Sequence, residues 1–282
     1  MVVLTELEKK YLVFEHLNLS QYLDIKDRIS LRNVSKRIRS IVDSWDPKLT
    51  EVYYQQCNSW RFISESFNSV IKAEDLSASV LSILKHPKLR LEKLKLYRQD
   101  NQWEAVSTEL NRTDSKLSIR KFEILNNNSK YIITSNFLNL EVLEEVSLCI
   151  TNETKTEIHK ILHSDQCKAL QMLTVNSYMN PNTFPFKCFN ICPRLNLQFH
   201  GVSADNKIAY VIKNIVRRAL IEIWYISNDV NPFNITFMQQ SFRREDTLIK
   251  GYPNFRHYLI PETEEYYEIE LEKECIRVEW MR

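Results

Sequence analysis

The chain has 282 residues, enough to bury a sizeable core as one or two domains, and its formal net charge of +2 provides no global field to favour a nucleic-acid or membrane partner. Only two glycines occur, Gly201 and Gly251, where average usage would supply roughly 20, so the closely spaced glycines of phosphate-cradling loops are missing and the common nucleotide-binding motifs are disfavoured. Six scattered cysteines lack the spacing of a disulfide framework, Glu6, Glu8, Lys9 and Lys10 interrupt any signal-peptide core, and no apolar run approaches the roughly 18 residues of a membrane span; a reduced, cytoplasmic or nuclear chain is expected.

At the N-terminus Leu4, Leu7, Tyr11 and Phe14 fall on one seam at helical spacing, and Leu12, Val13, Leu17, Leu19 and Leu23 form a second apolar set outside it. Further on, Leu31, Val34, Ile38, Ile41 and Val42 fall within about 100° on a helical projection. Arg28, Arg32, Lys36 and Arg39 make a neighbouring basic stripe, Asp27 stands where an N-cap is expected, and Trp45, Asp46 and Pro47 stop the helix. Fewer than 50 residues with two apolar faces own more apolar surface than their own interior needs, so one face is expected to meet another protein; docking on the rest of the same chain is the other outcome. A helix-turn-helix reading would set the basic stripe against phosphates, but acidic residues flank the segment and side chains suited to base edges are few, so no nucleic-acid partner is expected.

These residues carry a resemblance. "DRISLRNVSKRIRSIVDSWDP", residues 27 to 47, resembles the F-box, above all its nematode version with D-R-x-x-L-R-x-V-S-x-x-x-R-x-x-V-D-x-W-D-P, although the usual opening Leu-Pro is absent. The resemblance implies a helical module at 1–47 that inserts into a Skp-family adaptor and through it joins a cullin-RING ubiquitin ligase. Leu19, Leu23, Asp27, Leu31, Val34 and Arg37 stand at F-box positions, and Leu19, Leu23, Leu31 and Val34 are the expected adaptor surface.

Beyond Pro47 the template L-x-x-L-x-L-x-x-N/C recurs with apolar residues in its leucine columns. It fits Leu49, Val52, Tyr54 and Cys57; Leu91, Leu94 and Leu96; Ile119, Phe122, Ile124 and Asn127; Leu143, Val146 and Leu148; Leu170, Leu173 and Val175; Cys192, Leu195 and Leu197; and Leu220, Ile223, Tyr225 and Asn228. Stretches with helical spacing lie between, at 74–87, 103–112, 154–165 and 205–220. A strand–turn–helix unit repeating every 20 to 29 residues is the period of a leucine-rich-repeat solenoid, although the asparagine column survives at only two of seven positions. Residues 266–281 alternate apolar and polar and are expected to be paired strands capping the last repeat. The expected fold is therefore α+β: an N-terminal helical module, then an α/β leucine-rich-repeat-like solenoid at 48–282 with a C-terminal β cap.

Because side chains switch faces at period two, a concave surface is expected from Lys93, Lys95, Tyr97, Lys121, Glu123, Glu145, Met172, Arg194, Glu222 and Trp224, a mixed row suited to a protein partner. "LSILKHPKLRLEKLKLY", residues 81 to 97, resembles the FTH domain that follows nematode F-boxes, which implies a substrate-capturing role.

Signals for chemistry are weak. His159 and His163 have helical metal-ligand spacing but lack the glutamate of a metalloprotease helix, and Cys192 of the Cys188/Cys192 pair falls on an apolar column. Carboxylates occur in surface runs, no nucleophile elbow is present, and Cys57 has no visible base partner. The expectation is a non-catalytic bridge, without metal or cofactor, between a ligase adaptor and a protein substrate. The alternative is a repeat-containing scaffold whose N-terminal helices only cap the solenoid.

Overall fold

The computed structural model describes residues 23, 25–32, 34–55, 59–65, 68–72, 77–97, 101–113, 116–125, 136–155, 158–164, 167, 170–201, 205–216, 221–242, 248–260 and 263–282. The chain forms two compact units, one made of residues 1–120 with 135–142, the other of 121–134 with 143–282.

The first unit opens with helices α1 (Ile25–Arg32) and α2 (Lys36–Ser44). The single helix expected across this stretch is instead two. Val34-Ser35 interrupts it: the Val34 N–H donates to Leu31 O at 3.0 Å, and the Ser35 hydroxyl caps α2 by accepting from Ile38 N at 3.2 Å. Ser35 sits in extended backbone, where a serine oxygen stabilises a helix start better than helix interior. Asp27, expected as the cap, lies in the first turn of α1, where its charge still complements the helix dipole.

Strands β1 (Glu51–Gln55), β2 (Ser59–Ile63) and β3 (Asn68–Lys72) follow as an antiparallel meander, and helix α3 (Ser77–Leu84) leads to β4 (Arg90–Leu96), which pairs in parallel with β1. Helix α4 (Asn101–Asn111) supplies Trp103 to an aromatic core. The Tyr54 and Trp60 rings lie 4.8 Å apart, Trp60 and Trp103 6.2 Å, and Trp103 and Phe137 6.1 Å. The sequence pattern did not anticipate the β2–β3 hairpin.

Strand β5 (Ser118–Ile124) crosses the division between units. In the second unit its end pairs in parallel with β6 (Glu145–Ile150), followed by β7 (Met172–Ser177), β8 (Arg194–Phe199) and β9 (Ile223–Asn228), each parallel to the last. The links hold helix α5 (Ile158–Leu162), a 3-10 turn (Phe186–Ile191) and helix α6 (Asp205–Ile215). After helix α7 (Ile235–Ser241) come β10 (Leu248–Ile249), β11 (Tyr252–Leu259), β12 (Tyr266–Leu271) and β13 (Cys275–Met281), an antiparallel set in which β13 pairs with β9. The paired strands expected at 266–281 are β12 and β13.

One geometric device recurs at strand entries. Thr50 O accepts from the N–H groups of Glu92 and Lys93, Glu144 O from Gln171 and Met172, and Pro193 O from Glu222 and Ile223. The apolar columns explain the shared device: Leu143, Val146 and Leu148, then Leu170, Leu173 and Val175, then Cys192, Leu195 and Leu197 are all buried. These three repeats thus bury the same three positions, and on the same side of β8 the Phe199 ring packs on Phe184 and on Phe186 of the 3-10 turn.

The last repeat corrects the expected register by one residue. Its buried column is Ile221, Trp224 and Ile226, while Ile223 and Tyr225 are half-exposed and Leu220 lies outside the described residues. Strand pairing matches Leu195 with Trp224 and Arg194 with Ile223, so Trp224, expected on the open face, is 1% exposed and its indole N–H donates to Cys192 O at 2.8 Å. A fused ring with one donor is more stable buried beside an acceptor than standing in water.

Candidate interaction sites

In the two-helix module, Leu31, Ile38 and Val42 form a buried cluster with Leu23 and Trp45 packed against it. Four of the five residues expected on the apolar arc are described as buried or half-buried; the fifth, Val34, stands 46% exposed in the interhelical turn. Leu19 lies outside the described residues, as do the Leu4–Phe14 seam and the rest of its neighbouring apolar set apart from Leu23. Asp27 is exposed, and Arg37 lies in the first turn of α2.

Arg28 departs from the expected basic stripe. Its guanidinium is buried: Nε donates to Leu23 O at 3.2 Å and NH1 to Asp46 O at 2.7 Å, so one side chain ties the segment before α1 to the segment after α2. Burial pulls its pKa below the ordinary value, and the Asp46 carboxylate opposes that shift. Lys36 and Arg39 do remain on the surface, where with Ser40 and Ser44 they line a shallow depression of about 440 Å³.

The expected concave row divides between the units. Lys93, Lys95 and Tyr97 belong to the first, on the half-exposed face of β4 and the residue after it, where the Lys95 ammonium lies 5.0 Å from the Tyr97 ring centre. The second unit places Lys121, Glu145, Met172 and Arg194 side by side on consecutive strands, with Ile223 next. The row above it contains Glu123, Ser147, Thr174, Asn196, Tyr225 and Arg277. This polar face is opposite to the one that packs against the 3-10 segment.

Its side chains are mutually bonded. Lys121 Nζ reaches Glu145 at 2.9 Å and Glu123 at 3.5 Å, Thr174 Oγ1 donates to Glu145 at 2.8 Å, and Asn176 Nδ2 donates to Ser147 Oγ at 3.2 Å. Burial lowers the Lys121 pKa, but hydrogen bonds and charge from Glu145 and Glu123 outweigh it and leave the ammonium above its ordinary value. Arg194 pairs with Glu222 at 2.6 Å, which brings Glu222 to this face. Arg277 meets Glu268 at 3.2 Å, Glu270 at 3.2 Å and Glu279 at 3.5 Å.

At the far ends of β7, β8 and β9 stands a cluster that the sequence pattern did not single out. The His200 Nδ1 lies 3.1 Å from Asp229 Oδ2, Nε2 lies 3.2 Å from Asn176 Oδ1, and the ring stacks on Tyr178 at 4.9 Å. With the register corrected in β9, Tyr178, His200 and Asp229 fall in the template's asparagine column in three successive repeats. That equivalence was the available signal: Tyr178 and His200 were already in the column, and only Asp229 was hidden by the one-residue error.

Among the described residues no group of three or more His, Cys, Asp or Glu side chains could hold a metal, and no helix is long and apolar enough to cross a membrane. His163 is exposed, the side chain of His159 lies outside the described residues, and so does Cys57. Cys149, Cys167, Cys188, Cys192 and Cys275 are free thiols. Burial pushes Cys167 up to about 11 and Cys192 up to about 12, the latter aided by its proximity to Cys167, which removes the thiolate that nucleophilic chemistry needs.

Comparison with known families finds an F-box domain at residues 16–50, the stretch that spans Leu23, α1, α2 and Pro47. No curated protein and no solved structure matches the chain.

Proposed function

We propose that this chain is the substrate-recognition subunit of an SCF-type ubiquitin ligase, with Leu19, Leu23, Asp27, Val34 and Arg37 serving adaptor contact and Leu31, expected among them, closing the module's core behind them. F-box domains generally bind Skp1 within cullin-RING ligases, and F-box proteins are generally non-catalytic adaptors. The observation that carries the reading is the F-box match at 16–50 on a module whose Leu31/Ile38/Val42 cluster is closed while Val34 stays exposed in its turn. The remainder, from residue 48, is read as an FTH-type, leucine-rich-repeat-like domain of the kind found in nematode F-box proteins, and its recurring strand entries and apolar columns favour that reading. Its task is to hold a protein substrate, which raises the effective concentration of a substrate lysine near a ubiquitin-charged enzyme.

The test is titration of purified chain against a Skp-family adaptor. Val34→Asp puts a charge on an already exposed site, so the melting temperature is expected to hold while adaptor affinity falls at least tenfold. Leu31→Asp is the poorer probe, because a charge in the closed cluster unfolds the module. Wild-type chain that fails to bind, or Val34→Asp that binds as tightly as wild type, counts against the proposal.

A further inference from the structure

We infer that the polar face of the second unit holds an arginine-bearing, extended polypeptide segment, anchored where Tyr178, His200 and Asp229 meet. The inference rests on the substrate-holding role proposed above and specifies the chemistry of what is held.

Charge is the first ground. The cations paired on this face are Lys121, Arg194 and Arg277, and the carboxylates that meet them are Glu123, Glu145, Glu222, Glu268, Glu270 and Glu279. With Asp229, three positive charges stand against seven negative ones, a local net of −4 on a chain whose overall net charge is +2. Each of these three cations is already ion-paired within the face, so the surplus acts on whatever approaches. A face of this sign attracts a basic segment and repels an acidic one.

Geometry is the second. Tyr178 is 65% exposed and backed on one side by the His200 ring, while the Asp229 carboxylate, 58% exposed, holds the opposite part of that imidazole. A carboxylate beside an exposed aromatic ring is the pairing a guanidinium recognises, since its plane can stack on the ring while its N–H fork meets the oxygens. Three successive strands deliver these groups at one repeat position, so the backbone that carries them is fixed by the parallel ladder. The floor between this anchor and the Lys121 end presents the half-exposed Asn176, Asn196 and Gln198, amide side chains that can donate to and accept from an extended backbone.

The experiment uses the full chain and a labelled twelve-residue peptide of alternating arginine and serine, read by fluorescence anisotropy, beside a lysine–serine and a glutamate–serine peptide. The arginine peptide is expected to bind most tightly, the lysine peptide several-fold more weakly, and the glutamate peptide not at all. Tyr178→Ala, which leaves charge untouched, is expected to lower arginine-peptide affinity at least fivefold and to erase the preference over lysine. Asp229→Asn with Glu222→Gln and Glu279→Gln is expected to lower it at least tenfold. The charge-matched control Glu264→Gln with Glu272→Gln and Glu274→Gln, all in exposed turns, should change it less than twofold. Equal losses in both triple variants, or an unchanged Tyr178→Ala variant, would reduce the effect to general charge attraction and overturn the inference. Adaptor binding, measured on the same samples, stays intact in that case, whereas failure of the ligase reading removes adaptor binding and leaves the peptide result standing.

Discussion

Arg28 shows how one buried cation can hold a small module together. Its bonds to Leu23 O and Asp46 O run to chain segments on either side of the helix pair, and a guanidinium fork is needed to reach both. Arg28→Lys keeps the charge but loses the fork, and a hydrogen bond from a charged group is worth about 1.5–3 kcal/mol; a loss at the lower end of that range in urea unfolding is expected, since both bonds are only partly buried. Trp224 is the analogous residue in the second unit. Trp224→Phe keeps most of the ring but strips Cys192 O of its donor, and the expected cost is about 1–3 kcal/mol. Cys167 and Cys192 set a pH limit. Their folded values, about 11 and about 12, lie above the roughly 8.5 of an unfolded thiol, so above that pH the unfolded chain releases protons the folded chain keeps. Stability is full below about pH 8.5 and is expected to fall as pH rises towards 11; a urea midpoint that stays level from pH 8 to 11 would contradict this burial.

Helix α2 depends on a cap that the pattern did not identify. Ser35→Ala removes the acceptor for Ile38 N and should cost about 1 kcal/mol, seen as a lower midpoint with an unchanged m-value. The miss has a physical cause. Hydrophobic periodicity reports which residues face a core, and Leu31, Ile38 and Val42 do share one, but two short helices folded on each other keep nearly the same arc as one longer helix. All seven template matches overlap a strand, and the four stretches with helical spacing overlap α3, α4, α5 and α6, because inward positions recurring in each repeat leave a periodic trace. The β2–β3 hairpin and the 3-10 turn leave none, since their pairing depends on partners remote from the local pattern. The β9 slip arose from neighbouring apolar residues, Ile221 to Ile226, in which two registers score alike until burial of Trp224 chooses one. The site was correspondingly half-readable: Lys121, Glu145, Met172 and Arg194 do share a row, while Tyr178 and His200 stood unremarked in a column expected to hold asparagine and Asp229 was hidden by that slip.

If the chain joins the two proposed recognition tasks through covalent connection, that arrangement has a concentration signature that neither task has alone. A bridge raises the local concentration of one partner near the other only while each bridge molecule carries both. With the adaptor and an arginine-bearing segment at fixed amounts, the three-component complex should first rise with added chain and then decline once chain exceeds both, because separate chains then occupy the two partners. Val34→Asp is expected to lower the maximum through the adaptor arm, and Tyr178→Ala through the segment arm, with no change in the affinity of the opposite arm. The two losses should multiply in the double variant, since the altered residues lie in different compact units and share no described partner. A proximity signal measured across a hundredfold range of chain concentration would decide it. A signal that climbs to a plateau and stays there would mean that the two partners meet without this chain between them, and the bridging role would have to be abandoned even if both binary affinities were confirmed.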